Sequence, residues 1–170
     1  MSEMTKEEML KNAEFLIKTL PGTELPGEAR IKVRARTMRA LAECFGITDP
    51  KYVGENDDEI IACKAFANAF TVKSFYTLIP SAKLTLPDGT QRDFLLNPNK
   101  LLHAGNKYNW EGCVPVKAGD KLTGKGKWVD VWLVEKNMIL FASLELEVRN
   151  QNNELVCKVL TRAAVRPGGY

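Results

Sequence analysis

From Met138 to Val148 the chain alternates without a break. Met138, Leu140, Ala142, Leu144, Leu146 and Val148 fall on one face, and Ile139, Phe141, Ser143, Glu145 and Glu147 fall on the other. A repeat of two is that of an extended strand, whose successive side chains point to opposite faces. So long a strand needs long partners, and the sequence places them on either side. Arg149-Asn150-Gln151-Asn152-Asn153-Glu154 carries turn chemistry. The segment after it sets Leu155, Cys157, Val159, Ala163 and Val165 opposite Val156, Lys158, Leu160, Arg162 and Arg166. Upstream, the tight turn Ala118-Gly119-Asp120 leads into a third long strand, Leu122 to Val134. Gly124 and Gly126 stand in it where a sheet must bend or admit another backbone. The last third of the chain, from Leu101 to Arg166, is therefore expected to form a strongly curved antiparallel sheet.

The residues before it read differently. Thr5 and Glu8 form a capping box. Met9, Ala13, Leu16, Ile17 and Leu20 then recur on one helical face until Pro21-Gly22 stops the run. Residues 1–21 are thus expected to be an accessory helix, and residues 22–170 the main domain. Arg30 to Arg34 alternates charge with aliphatic as a half-buried strand does. Thr37 is a candidate N-cap for a helix whose stripe is Met38, Leu41 and Phe45 and whose end is Gly46. The segment from Ile47 to Glu59 is turn-rich and acidic. The run from Ala62 to Ile79 is too apolar for the surface; its alanines at 62, 65, 67 and 69 suit a helix packed tightly inside a sheet. Residues 81–100 carry a hairpin signal at Pro87-Asp88-Gly89 and are expected to lie over one edge. Together these give an α+β layout in which a curved antiparallel sheet wraps one central helix, with an extra helix at the N-terminus.

Composition narrows the function classes. At 170 residues the chain is long enough for one domain with a genuine core. A net charge of +3, not gathered into a stripe, gives no support to nucleic-acid binding. No apolar run reaches the ~18 residues that cross a bilayer. The acidic opening is unlike a signal peptide, so a cytoplasmic location is expected. Cys44, Cys63, Cys113 and Cys157 lie far apart and read as reduced thiols without a metal site. His103 is the single imidazole.

Several segments resemble the hot-dog-fold dehydratases of the MaoC type. These are Leu101-Leu102-His103-Ala104-Gly105, Val116 to Leu122 around Ala118-Gly119-Asp120, Glu147 to Asn150, and Glu154-Leu155-Val156. The similarity is to their N-terminal half, the FAS1-like dehydratase domain, over residues 22–166. It implies binding of acyl thioesters of coenzyme A or acyl carrier protein in a tunnel between two hot-dog units joined edge to edge, with no other cofactor. Active members hydrate trans-2-enoyl thioesters, or dehydrate (R)-3-hydroxyacyl thioesters, with the Asp and His of an Asp-x-Asn-Pro-x-His motif. Backbone N–H groups at the start of the central helix polarise the carbonyl.

Here Ile47 stands in place of the Asp and Tyr52 in place of the His, while Asp49 takes the Asn position and Pro50 is kept. Isoleucine cannot hold a water, and a phenol titrating near ~10 is a poor base at neutral pH. The resemblance therefore implies a binding subunit, inactive as a hydratase alone, within a homodimer or paired with a MaoC-like catalytic chain. His103 and Asp49 are the candidates for a replacement catalytic pair. Phe66, Asn68 and Phe70 are the candidate substrate-binding residues, Asn68 as a donor to a carbonyl. Trp110, Trp128 and Trp132 read as core or interface anchors. Two other readings stay open: a hot-dog thioesterase drawing on the acidic run Glu55, Asp57, Asp58 and Glu59, and an acyl-coenzyme A-binding homodimer without chemistry.

Overall fold

The computed structural model of the chain describes residues 4–170, so the first three residues of the expected accessory helix lie outside the described residues. Helix α1 spans Lys6–Thr19. Its capping box forms as the sequence predicts, with the Thr5 side chain accepting from the Glu8 amide and Glu8 reaching back to the Thr5 amide. Ala13, Leu16 and Leu20 are buried in the same core as the sheet. The chain then turns at Gly22, φ +86°, where glycine alone avoids a Cβ clash.

Five strands form one antiparallel sheet: β1 (Ala29–Lys32), β4 (Leu101–Asn109), β5 (Lys121–Val134), β6 (Ile139–Arg149) and β7 (Leu155–Val165). Their order is β1-β5-β6-β7-β4, which leaves β1 and β4 as free edges. The sheet curls around helix α4, Ala67–Leu78. Phe70, Thr71, Ser74, Phe75 and Leu78 of α4 are buried against it. The alternation along β6 holds to the end: Leu140, Ala142, Leu144, Leu146 and Val148 are each no more than 1% exposed. At Gly124 a Cβ would stand 2.8 Å from Ser74 Oγ. The helix thus sits this close to β5 because that strand has no side chain there.

Four local expectations are corrected. Helix α2 spans Ala35–Cys44 and is capped at Arg34, not Thr37, because the Thr37 hydroxyl donates back to the Arg34 carbonyl, 3.0 Å away, instead of accepting from an amide. Phe45 does not complete the buried stripe; it is 62% exposed, one residue past the end of α2. The run from Ala62 does not enter the helix at once: Ile61 bridges to Lys117, and a 3-10 turn at Lys64–Phe66 precedes α4. In β7 both Val156 and Cys157 are buried, because pairing with β6 slips between Val148 and Arg149 and turns Val156 inward.

Residues 81–100 do form a hairpin, β2 (Lys83–Thr85) with β3 (Gln91–Asp93), as a separate two-stranded sheet. It is pinned by Phe94, fully buried edge-on against Trp128 of β5, with ring centres 4.8 Å apart. No helix among the described residues is long and apolar enough to cross a membrane.

Candidate functional site

A cleft of about 270 Å³ opens where the chain enters α4. Its walls are mostly apolar, with Ala67, Phe70, Val116 and Val156 buried and Ile61 and Trp110 partly exposed. Polar groups are few. The amides of Cys63 and Lys64, at the head of the 3-10 turn, find no hydrogen-bond partner among the described residues. The Lys64 ammonium stands over the Trp110 ring, 5.6 Å from its centre. Tyr52 and Cys113 also line it.

The segment that replaces the Asp-x-Asn-Pro-x-His motif borders this cleft. Ile47 takes its backbone bond from the end of α2, its amide donating to the Ala42 carbonyl, and its side chain packs on the core. Asp49 caps the short helix α3, Pro50–Val53: one carboxylate oxygen accepts from the Lys51 amide, 3.0 Å away, and the other pairs with the Lys51 ammonium at 2.8 Å. The Lys51 side chain and amide hold this carboxyl below the usual carboxylate range, so it stays ionised. It is a helix cap, not a base poised near neutrality. Tyr52 alone of the two replaced positions reaches the cleft.

His103 lies elsewhere. It sits on β4 with its ring edge-on to Phe75, in the C-terminal half of α4, and its Nε2 is 2.9 Å from Asn106 Oδ1. Asp49 and His103 share no hydrogen bond, so the structure does not bring the two catalytic candidates together. Of the substrate-binding candidates, Phe70 lines the cleft and Phe66 packs edge-on behind it, ring centres 6.2 Å apart. Asn68 is not in the lining itself; it is exposed next to Ala67, which is, and its Oδ1 accepts from Asn106 Nδ2 at 3.2 Å. Asn106 and Tyr108 escaped the sequence reading because their partners on α4 are 37 to 40 residues away.

Burial pushes the Cys113 thiol up, and burial again lifts Cys157 to about 12. Neither is an activated nucleophile. The acidic run from Glu55 to Glu59 is exposed, and Asp57 is engaged by Arg39, so no carboxylate is set in the cleft to activate a water.

The sequence motifs at the turns before β5 and β7 have a structural use. Asp120, buried, accepts from the Lys117 amide at 2.8 Å and from Gln151 Nε2 at 3.0 Å, while Gln151 Oε1 accepts from the Lys121 amide at 2.9 Å. The turn before β5 and the turn between β6 and β7 are thereby locked to each other.

A curled five-stranded antiparallel sheet closed around one helix, with a cleft at that helix's start, is a hot-dog fold. Residues 19–159 match the family model described as the FAS1-like, dehydratase domain region, and the chain belongs to that family. Among solved structures it is similar to a MaoC-like dehydratase from Rhodospirillum rubrum (18% identity, 86% of this chain and 92% of the other, TM-score 0.56). It is similar to an (R)-hydratase from Pseudomonas aeruginosa (18% identity, 86% and 81%, TM-score 0.56). It is also similar to the HadBC (3R)-hydroxyacyl-ACP dehydratase complex from Mycobacterium tuberculosis (15% identity, 88% and 99%, TM-score 0.62). A comparison with curated proteins finds no match.

Proposed function

We propose that this chain is the acyl-thioester-binding half of an (R)-specific enoyl thioester hydratase or 3-hydroxyacyl thioester dehydratase, with the acid–base pair supplied by a second hot-dog chain. The observation that carries this reading is a cleft that can hold a ligand but cannot move a proton. It has apolar walls, two free amides and an ammonium at its mouth, while the positions of the dyad hold Ile47, turned to the core, and Tyr52. Free amides on neighbouring residues of the lining suit a carbonyl oxygen that gains negative charge.

The size of the cleft supports a shared site. Pockets that enclose a ligand run to about 300–1,000 Å³, and this one falls just below that range. It suits the reacting end and acyl chain of a thioester, with the remaining wall and the coenzyme A or carrier-protein arm held partly by the partner. The long free edge of β4 is the natural joint, since an unpaired strand edge invites another strand. In this reading Phe70 closes the acyl end, Phe66 backs it, and Asn68, beside the lining, donates to the carbonyl. The site would operate in the cytoplasm.

Reconstitution tests the pairing. The chain is mixed with a hot-dog protein that carries an intact Asp-x-Asn-Pro-x-His motif, ideally one encoded beside it, and the mixture is analysed by light scattering and by hydration of crotonyl-coenzyme A. A one-to-one complex more active than either chain alone is expected. A homodimer that binds crotonyl-coenzyme A but gains no activity with such a partner would instead make the protein a binding dimer without chemistry.

A further inference from the structure

The free edge strand β4 contains a bulge. Its pairing with β7 slips between His103 and Gly105, and Gly105 adopts φ +145°, a region almost confined to glycine. On a regular strand residues 103 and 106 would point to opposite faces. The extra residue re-aims the strand, so His103 and Asn106 both face α4 and meet at 2.9 Å.

With the Asn106 oxygen toward His103, each hydrogen bond that follows has a direction. An amide oxygen only accepts, so the proton at this contact sits on His103 Nε2. Asn106 Nδ2 has two hydrogens, one directed to Tyr108 Oη at 2.9 Å and one to Asn68 Oδ1 at 3.2 Å. The Thr71 hydroxyl donates to the Ala67 carbonyl at 2.9 Å. Its 3.0 Å contact with Tyr108 Oη must therefore have Tyr108 as the donor. The chain runs from His103 through Asn106, then through Tyr108 to Thr71 and α4, with a branch to Asn68. Reversing the Asn106 amide alone would set its oxygen against Asn68 Oδ1; reversing both amides would make His103 Nε2 the acceptor, so the His103 tautomer tells the two series apart.

One group is left over. In this series Asn68 Oδ1 accepts from Asn106 and faces β4, and Asn68 Nδ2 has no partner among the described residues. The residue is exposed beside Ala67, and Tyr108 stacks at 5.5 Å on Trp110; Ala67 and Trp110 both line the cleft. We infer that His103, Asn106 and Tyr108 are positioning residues that lock the Asn68 amide with its oxygen toward β4 and its NH₂ held out as a donor to a ligand carbonyl at the cleft. The bulge at Ala104 makes this possible, and His103 serves as a fixed donor at the head of the chain. The identity of the ligand rests on the acyl-thioester reading above; the hydrogen-bond chain does not.

A double-mutant cycle tests the inference, with butyryl-coenzyme A as a non-reacting probe and the full chain in isothermal titration. Asn106→Asp keeps an acceptor for His103 but replaces the donor to Asn68, so the Asn68 amide must turn over. Binding should weaken about tenfold, the size of one hydrogen bond, and Asn68→Ala should do the same. In the Asn68→Ala background, Asn106→Asp should then change affinity less than twofold. Equal losses in both backgrounds would overturn the inference. Nitrogen-15 spectra give a readout independent of any ligand. The Nε2–H tautomer of His103 should dominate in the wild type and be lost in Gly105→Ala, where the bulge is strained; an Nδ1–H tautomer in the wild type would sink the hydrogen-bond chain. If the wild type fails to bind butyryl-coenzyme A, the acyl-thioester reading falls, and the tautomer still decides the positioning.

Discussion

The corner where Ala118-Gly119-Asp120 meets Gln151 and the cleft at the start of α4 are both made of turns, yet they use polar groups in opposite ways. At the corner each carboxylate oxygen of Asp120 has its donor, and Gln151 is held at both ends of its amide. At the cleft the amides of Cys63 and Lys64 and the Asn68 NH₂ are left without partners among the described residues. Satisfied groups lock a fold, whereas unsatisfied donors beside a cavity are available to a ligand. The contrast shows how the same stretches of chain serve both purposes: Asp120 and Gln151 hold the turns of the frame, while Val116 and Val156, a few residues away, line the cleft. If it is right, substitutions at the corner should cost stability without affecting binding, and substitutions at the cleft should do the reverse.

Phe70 serves frame and site at once, being buried in the core and lining the cleft, so Phe70→Ala should show the largest effect. A loss of about 3–5 kcal/mol in urea unfolding is expected from the cavity, together with a shift in affinity toward longer acyl-coenzyme A chains. Stability loss with unchanged chain-length preference would detach Phe70 from the cleft. Asp120→Ala comes next. It strands the Lys117 amide and frees Gln151, at a cost of about 2 kcal/mol, and acyl-coenzyme A affinity should stay within twofold. A large affinity loss from a chain that remains folded would break the division between frame and site.

Lys64→Glu should act in the opposite sense. The ammonium is exposed and its charge faces the mouth, so unfolding should change by less than about 0.5 kcal/mol, while coenzyme A affinity falls several-fold and more steeply at low salt. The smallest effect is expected in thiol labelling. Exposed Cys44 should react first with iodoacetamide. Cys113, with its pKa raised by burial, should lag at pH 8 and catch up as the pH rises, because only the thiolate attacks. Cys157, at about 12 and fully buried, should label only on unfolding.

The sheet was legible in the sequence because its two faces differ so sharply. One side of β6 is aliphatic throughout, and no helical periodicity competes with it. The capping box at Thr5 and Glu8 was legible for the same reason, since its chemistry is local. Where a choice depended on tertiary contacts, the sequence misled. Thr37 has good cap chemistry but bonds a carbonyl, and Val156 changes face because a register slip is invisible in one strand. The onset of α4 was blurred because Ala62 to Phe66 is as apolar as a helix but is tied down instead by the Ile61–Lys117 bridge. The site was half legible. Its loss of acid–base residues could be read at Ile47 and Tyr52. The bulge that carries Asn106 and Tyr108 to Asn68 could not, since nothing in Ala104-Gly105 says which strand slips against which.

The central claim, a site that holds an acyl thioester and leaves it unchanged, is tested most directly by the purified chain with crotonyl-coenzyme A. Binding by titration and loss of the enoyl absorbance should be followed on the same sample. Saturable binding is predicted, with hydration no faster than in buffer. Turnover at an ordinary enzymatic rate of about 1 s⁻¹ or more would contradict the account, because it would require an acid–base pair within this single chain.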